Sequence, residues 1–260
     1  MVHNQAAAKT NVNANSNANA FEVIRESRED RMLAALTAEA PREITELFIP
    51  TRMAKKSVLL PSTIRRSLAV RENNVVMFTS AYAREDAPGV AFQAARSAAL
   101  QSTGKVLYVH VSRRLPRFFR DIHDKIPITL DEFIESGGGG SVLPFVVLDE
   151  SGLVCAWYRG PGETVNPEGL RVLTASLRQC FEFTVFGGDD MLGDGASAAF
   201  ADLVDGTVLV TEAERTRVPV AKRLKRAVEE NGGNVIGAIL NRRKFHIPEW
   251  IYRILYGGNF

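Results

Sequence analysis

Little in this chain would place it outside the cell or within a membrane. Only two of its 260 residues are cysteine, Cys155 and Cys180. Two thiols give no disulfide framework. They can pair with each other in principle, but two reduced, partly buried thiols of a cytosolic protein are the expectation. No apolar run approaches the length of a membrane span, and the N-terminus lacks the apolar core of a signal peptide. The protein is therefore expected to be soluble, reaching a membrane only through a partner or a surface. There are four histidines, His3, His110, His123 and His246, and they fall into no metal-ligand spacing. No Ser or Cys nucleophile motif accompanies them. A formal net charge of +2 is close to neutral, so bulk electrostatics give no indication of a nucleic-acid partner.

What is present is an ordinary globular composition, 45% hydrophobic and 24% charged. The chain is organised around residues 75–111, which read as strand, loop, helix, strand. Val75, Val76, Met77 and Phe78 form a short apolar run suited to a buried parallel strand. A helix is expected from Gly89 to Leu100, with Val90, Ala94 and Ala98 at helical spacing. Asp86 and Pro88 stand where a capping acid and a first-turn proline belong. Val106 to Val111 is the second strand, which completes a βαβ unit and implies a parallel sheet covered by helices.

In such a unit, the loop after the first strand is where a nucleotide is usually held. A phosphate-binding loop needs glycines, a Lys for the outer phosphates and a Ser or Thr hydroxyl for Mg²⁺. This one, from Ser80 to Ala91, has no glycine before Gly89, no Lys, and no hydroxyl between Tyr82 and the helix. Arg84 is flanked by Glu85 and Asp86, two carboxylates that would oppose phosphate charge. As a phosphate cradle the loop fails.

Three regions are expected along the chain. Residues 1–20, rich in Asn and Ala without apolar periodicity, read as a disordered tail. Residues 21–72 read as a helical N-terminal arm, broken at Pro41 and carrying Arg65, Arg66 and Arg71 as a small basic face. Residues 73–260 read as an α/β domain. Within it, Thr129 and Glu132 form a capping box for a helix running to about Ser136. Val142–Leu148 and Leu153–Tyr158 are strand candidates, and Asn166 with Pro167 opens a helix carrying Leu170, Leu173 and Leu177 on one face. Strands are expected at Phe181–Phe186, Gly206–Glu212 and Val235–Asn241. A helical piece is expected at Ala196–Leu203, and a basic helix at Pro219–Asn231 closed by Gly232 and Gly233. Alternating strands and helices make a doubly wound, mostly parallel sheet with helices on both faces.

The C-terminal half, ADLVDGTVLVTEAERTRVPVAKRLKRAVEENGGNVIGAILNRRKFHIPEWIYRIL, resembles the bacterial tyrosine autokinases of capsule and exopolysaccharide systems. These are P-loop ATPases of the partition-protein type that work beside a membrane chain-length regulator. The resemblance runs back to about Val75 and implies a P-loop NTPase-like fold. It also implies a place in exopolysaccharide synthesis or export, peripheral to the inner membrane, with a membrane polysaccharide co-polymerase as partner and homo-oligomers possible in principle. The family's chemical motifs are all altered. Ala87 stands at the expected Lys, and Pro88 and Gly89 at the expected Ser/Thr pair. His110 and Ser112 replace the acids that end the second strand, and Gly187 replaces the Walker B Asp. Of the family's terminal tyrosine cluster only Tyr252 and Tyr256 lie near the end. A degenerate, pseudokinase-like member is expected, with no catalytic, cofactor-binding or metal-binding residues and no cofactor. An active ATPase or tyrosine kinase with a remodelled site is the alternative.

Four groups of residues invite sharper readings. Asp189, Asp190 and Asp194 are either a relocated Mg²⁺ site or a solvated Gly/Asp turn. His110 is a base, a ligand or a structural histidine. The tail mixes Arg242, Arg243, Lys244 and Arg253 with Phe245, Trp250 and Tyr252, which suits an anionic membrane surface or a docking contact. It suits equally a last helix packed through Trp250, Ile251 and Leu255. Arg113, Arg114, Arg117 and Arg120 form a second basic cluster, but no nucleic-acid motif accompanies it and no nucleic-acid partner is expected.

Overall fold

The computed structural model describes residues 60–68, 73–137, 142–148, 151–160, 166–188, 190–193 and 196–242. The expected tail, most of the expected arm, and the basic aromatic segment from Arg243 onward lie outside them.

Among the described residues seven strands form one sheet in the order β3-β4-β2-β5-β1-β6-β7. They are β1 (Asn74–Ser80), β2 (Val106–Val111), β3 (Val146–Leu148), β4 (Leu153–Tyr158), β5 (Phe183–Gly188), β6 (Gly206–Glu212) and β7 (Val235–Asn241). Every pairing is parallel except the β3–β4 hairpin at one edge. The doubly wound, mostly parallel α/β fold expected from the alternation is the one observed.

All seven residues of β1 are buried, because the strand is central and covered on both faces. Val75 and Met77 enter one core, Val76 and Phe78 the other. The second core is covered by α1 (Leu60–Ser67), α2 (Ala87–Ala99) and α3 (Arg117–His123), through residues such as Ile64, Phe92 and Phe119. The first is covered by α4 (Leu130–Glu135), α5 (Pro167–Cys180) and α6 (Val218–Glu230), through Phe133, Leu173 and Leu224. α2 owes its close seat to alanine. Ala87, Ala91, Ala94, Ala95 and Ala98 make up most of its buried face, so its backbone approaches β5 closely.

Several local signals operate as expected. Thr129 accepts the Glu132 N–H while Glu132 accepts the Thr129 N–H, closing the capping box of α4. Asn166 Oδ1 accepts the Gly169 N–H at 2.9 Å, starting α5. Both cysteines are free thiols, Cys155 buried and Cys180 partly so, and burial raises both above the ordinary thiol range.

Other expectations need correction. The strand expected over Val142–Leu148 shortens to the three residues of β3, as long as its antiparallel match to Leu153–Cys155. The strand expected over Phe181–Phe186 lies at Phe183–Gly188, because Phe181 still donates its N–H to Leu177 O and so belongs to the end of α5. Ala196–Leu203 holds only a 3-10 turn at Ala198–Phe200, and α3 was not anticipated.

Candidate functional site

In sheets of this kind ligands gather at the carboxyl ends of the strands, where the winding changes direction. Here β1 lies between β5 and β6, and the chain leaves β1 toward β2 on one side and β6 toward β7 on the other. The loop after β1 therefore occupies the ligand position of the architecture. Ala83–Glu85 forms a 3-10 turn, and Asp86 follows in the left-handed conformation with φ 62°. This tight turn, which the sequence reading missed, decides where the side chains go.

Glu85 turns inward. Its side chain is fully buried, and Oε2 accepts the backbone N–H groups of Ala81 at 2.8 Å and Tyr82 at 3.0 Å. Oε1 accepts the hydroxyl of Thr216, from the loop after β6. The Glu85 carbonyl accepts Nδ2 of Asn241, at the end of β7, at 3.0 Å. Of the two loop carboxylates expected to oppose phosphate charge, Glu85 is thus the one seated on the loop amides. Asp86 does remain half-exposed, with its carboxyl against Gly89. Burial raises its pKa above the usual carboxylate range, an effect opposed by the nearby Arg242 guanidinium. Pro88 sits in the first turn of α2 as anticipated.

Around this turn the charges are shared among neighbours. Glu212, buried at the end of β6, has guanidinium nitrogens of Arg84, Arg215 and Arg242 at 3.9, 3.5 and 3.7 Å. Arg84 also lies over the Tyr82 ring, 4.5 Å from its centre. The cations at this edge thus already have anionic or aromatic partners, and each exposed pair is worth little alone.

The strand ends beside β1 are filled as well. Phe78, Gly187 and His110 stand side by side in register across β1, β5 and β2. A side chain at Gly187 would meet Tyr108 Oη at 2.8 Å and the Ala91 Cβ at 3.0 Å. The Tyr108 hydroxyl donates to the Pro88 carbonyl at 3.2 Å and lies 3.3 Å from His110 Nδ1. His110 Nε2 lies 2.7 Å from the Arg114 carbonyl, which can only accept, so the neutral ring carries its proton there. Burial lowers the His110 pKa to about 4. A neutral imidazole with both nitrogens turned to protein atoms is structural, and the base and ligand readings of His110 lose their footing. Ser112 is likewise engaged: its hydroxyl accepts the Arg114 N–H, and its carbonyl accepts the Trp157 indole N–H.

The other candidates do not converge. Asp190 lies in a turn closed by the Gly193 N–H on its carbonyl, while Asp189 and Asp194 lie outside the described residues. Among the described residues no three His, Cys, Asp or Glu side chains are grouped to hold a metal. Arg113, Arg114, Arg117 and Arg120 are exposed. A nucleotide with Mg²⁺, which the architecture would suggest, does not fit these residues. The Ala81 and Tyr82 amides of the loop are already bonded to Glu85, and Gly187 at the end of β5, pressed by Tyr108, brings no metal-ligating side chain.

No protein-family model matches the chain, and no curated protein matches it. Solved structures do. The chain is similar to the kinase domain of the Escherichia coli tyrosine kinase ETK, at 18% identity over 74% of this chain and 78% of that one, with a TM-score of 0.57. It is similar to the kinase domain of VpsO at 22% identity, covering 84% and 98%, with a TM-score of 0.58. A ParA family ATPase from Chlorobium tepidum is 16% identical, covering 72% and 81%, with a TM-score of 0.51. At these identities the likeness establishes the fold: a P-loop NTPase-like α/β sheet shared with bacterial tyrosine kinase domains.

Proposed function

We propose that this chain is a non-catalytic, pseudokinase-like component of exopolysaccharide synthesis or export. It acts by binding a membrane chain-length regulator, and that partner holds it peripheral to the inner membrane. One observation carries the non-catalytic part: the Glu85 carboxylate is buried on the amides of the loop that would otherwise receive phosphate. Phosphoryl transfer depends on positioning and on neutralising phosphate charge with Lys and a metal. A fixed carboxylate in that place opposes both. The pathway part rests on the resemblance of the C-terminal half, with the shared tyrosine-kinase fold in support. No described helix is long and apolar enough to cross a membrane, which is consistent with attachment through a partner.

The decisive measurement is a calorimetric titration of the full chain with ATP and Mg²⁺. No binding is expected at millimolar nucleotide, and clear Mg²⁺-dependent binding would overturn the reading. Co-purification from membranes is expected to recover a polysaccharide co-polymerase, and recovery of none would count against the partner. An active kinase built on Arg84, His110 and the Asp189/Asp190 pair requires instead tyrosine phosphorylation that disappears in Asp190→Ala. The burial of His110 speaks against it.

A further inference from the structure

We infer that the loop after β1 is an anion nest that carries its own anion. The Glu85 carboxylate supplies the charge and the acceptor oxygens of a bound oxyanion, and so holds this end of the sheet in one ligand-independent state. Successive backbone N–H groups converging on one oxygen are the mark of an anion-binding nest. Ala81 and Tyr82 present that pair, at 2.8 and 3.0 Å from Oε2. The third donor, the Thr216 hydroxyl, comes from 131 residues further along the chain. Thr216 Oγ1 in turn accepts the Glu212 N–H at 2.9 Å, so the loop after β6 is closed on the same point. Through its carbonyl, Glu85 also receives Asn241 from β7. One residue therefore ties together the segments that follow β1, β6 and β7.

A dissociable ligand in this position could shift a conformational equilibrium, because the contacts it makes are lost when it leaves. A carboxylate attached to the same turn never leaves. The surface formed by these loops is then permanently in its anion-bound arrangement, and a partner that reads it needs no nucleotide. This inference deepens the reading of a loop closed to nucleotide and adds the chemistry that closes it. Removing the carboxylate should convert the nest into a site for a small free oxyanion such as acetate or phosphate.

The test uses the full chain. In sodium chloride, Glu85→Ala is expected to unfold several degrees below the wild type. Replacing chloride by acetate or phosphate at equal ionic strength is expected to recover most of that loss, beyond the general salting effect seen in the wild type. A loss with no anion-selective recovery, or no loss at all, would overturn the inference. Hydrogen exchange in the wild type gives an answer even where the variant does not fold. The Ala81 and Tyr82 amides are expected to exchange at least about tenfold more slowly than unprotected loop amides, with or without ATP. Unprotected amides there would sink the nest. ATP binding to a wild type whose two amides stay protected would instead remove only the non-catalytic reading.

Discussion

The two ends of β1 each seat a buried carboxylate on backbone amides, and they do so in opposite ways. Before the strand, Asp205 Oδ2 accepts the Val75 N–H at 2.8 Å and Nη1 of Arg178 at 2.5 Å. The Asp205 N–H returns a bond to the Val75 carbonyl, and Arg178 also donates to the Leu203 carbonyl. There, charge is met by charge. After the strand, Glu85 is met by two amides and a hydroxyl, which are dipoles. An ion pair that ties α5 to β1 is a structural clamp. An anion held by loop dipoles, at the end of the sheet where ligands gather, has the chemistry of a binding site.

The largest test of this contrast is Asp205→Ala. Removing one partner of a mostly buried pair leaves Arg178 and the Val75 N–H uncompensated, and about 4 kcal/mol of stability should be lost in urea unfolding. No anion should restore the Ala81 and Tyr82 end, because that end is untouched. A loss below about 1 kcal/mol would mean that the clamp is no stronger than a surface pair, and the contrast would fail.

Acid should act at the other end. His110 has an ordinary pKa of 6.5 when unfolded and about 4 when folded. The unfolded chain therefore binds the proton first as pH falls, and stability is lost between pH 6.5 and pH 4. The full difference corresponds to about 3 kcal/mol. Unfolding followed from pH 7 to pH 4 should show this slope, and His110→Asn should flatten it. An unchanged slope in that variant would place the acid sensitivity elsewhere.

The sequence made much of the sheet legible and much of the site opaque, for physical reasons. β4, β6 and β7 lie at the expected residues, because apolar β-branched runs bounded by Gly or polar turns leave little choice. The start of α5 is equally plain from Asn166 and Pro167. β5 was misplaced because Gly187 and Gly188 read as a strand end. The parallel ladders to β1 and β2 nevertheless carry Gly187 as a strand residue. The inward seat of Glu85 is hidden from the sequence for a subtler reason. Which way a loop carboxylate points depends on a three-residue 3-10 turn and a left-handed Asp86, and neither leaves a periodic trace in the sequence. Its main acceptor role also involves Thr216, 131 residues away, a contact that spacing cannot reveal.

The smallest expected effect asks whether the space at the end of β5 is filled. Gly187→Asp would place a carboxylate at the end of β5, between Phe78 of β1 and His110 of β2. The new Cβ would come within 2.8 Å of Tyr108 Oη and 2.9 Å of Cε2, and the Tyr108 side chain is fully buried against Phe92 and Phe119. Overpacking of this kind costs about 2 kcal/mol. If the space is filled, the variant loses that stability and gains no Mg²⁺-dependent nucleotide binding. Adding Tyr108→Phe removes the nearest atom, so the double variant should regain about 1 kcal/mol relative to the sum of the single changes. Simple additivity would show that the clash is relieved elsewhere. A stable Gly187→Asp that binds Mg²⁺ and ATP would show that Glu85 does not close this end of the sheet to nucleotide, and the proposed non-catalytic reading would fall.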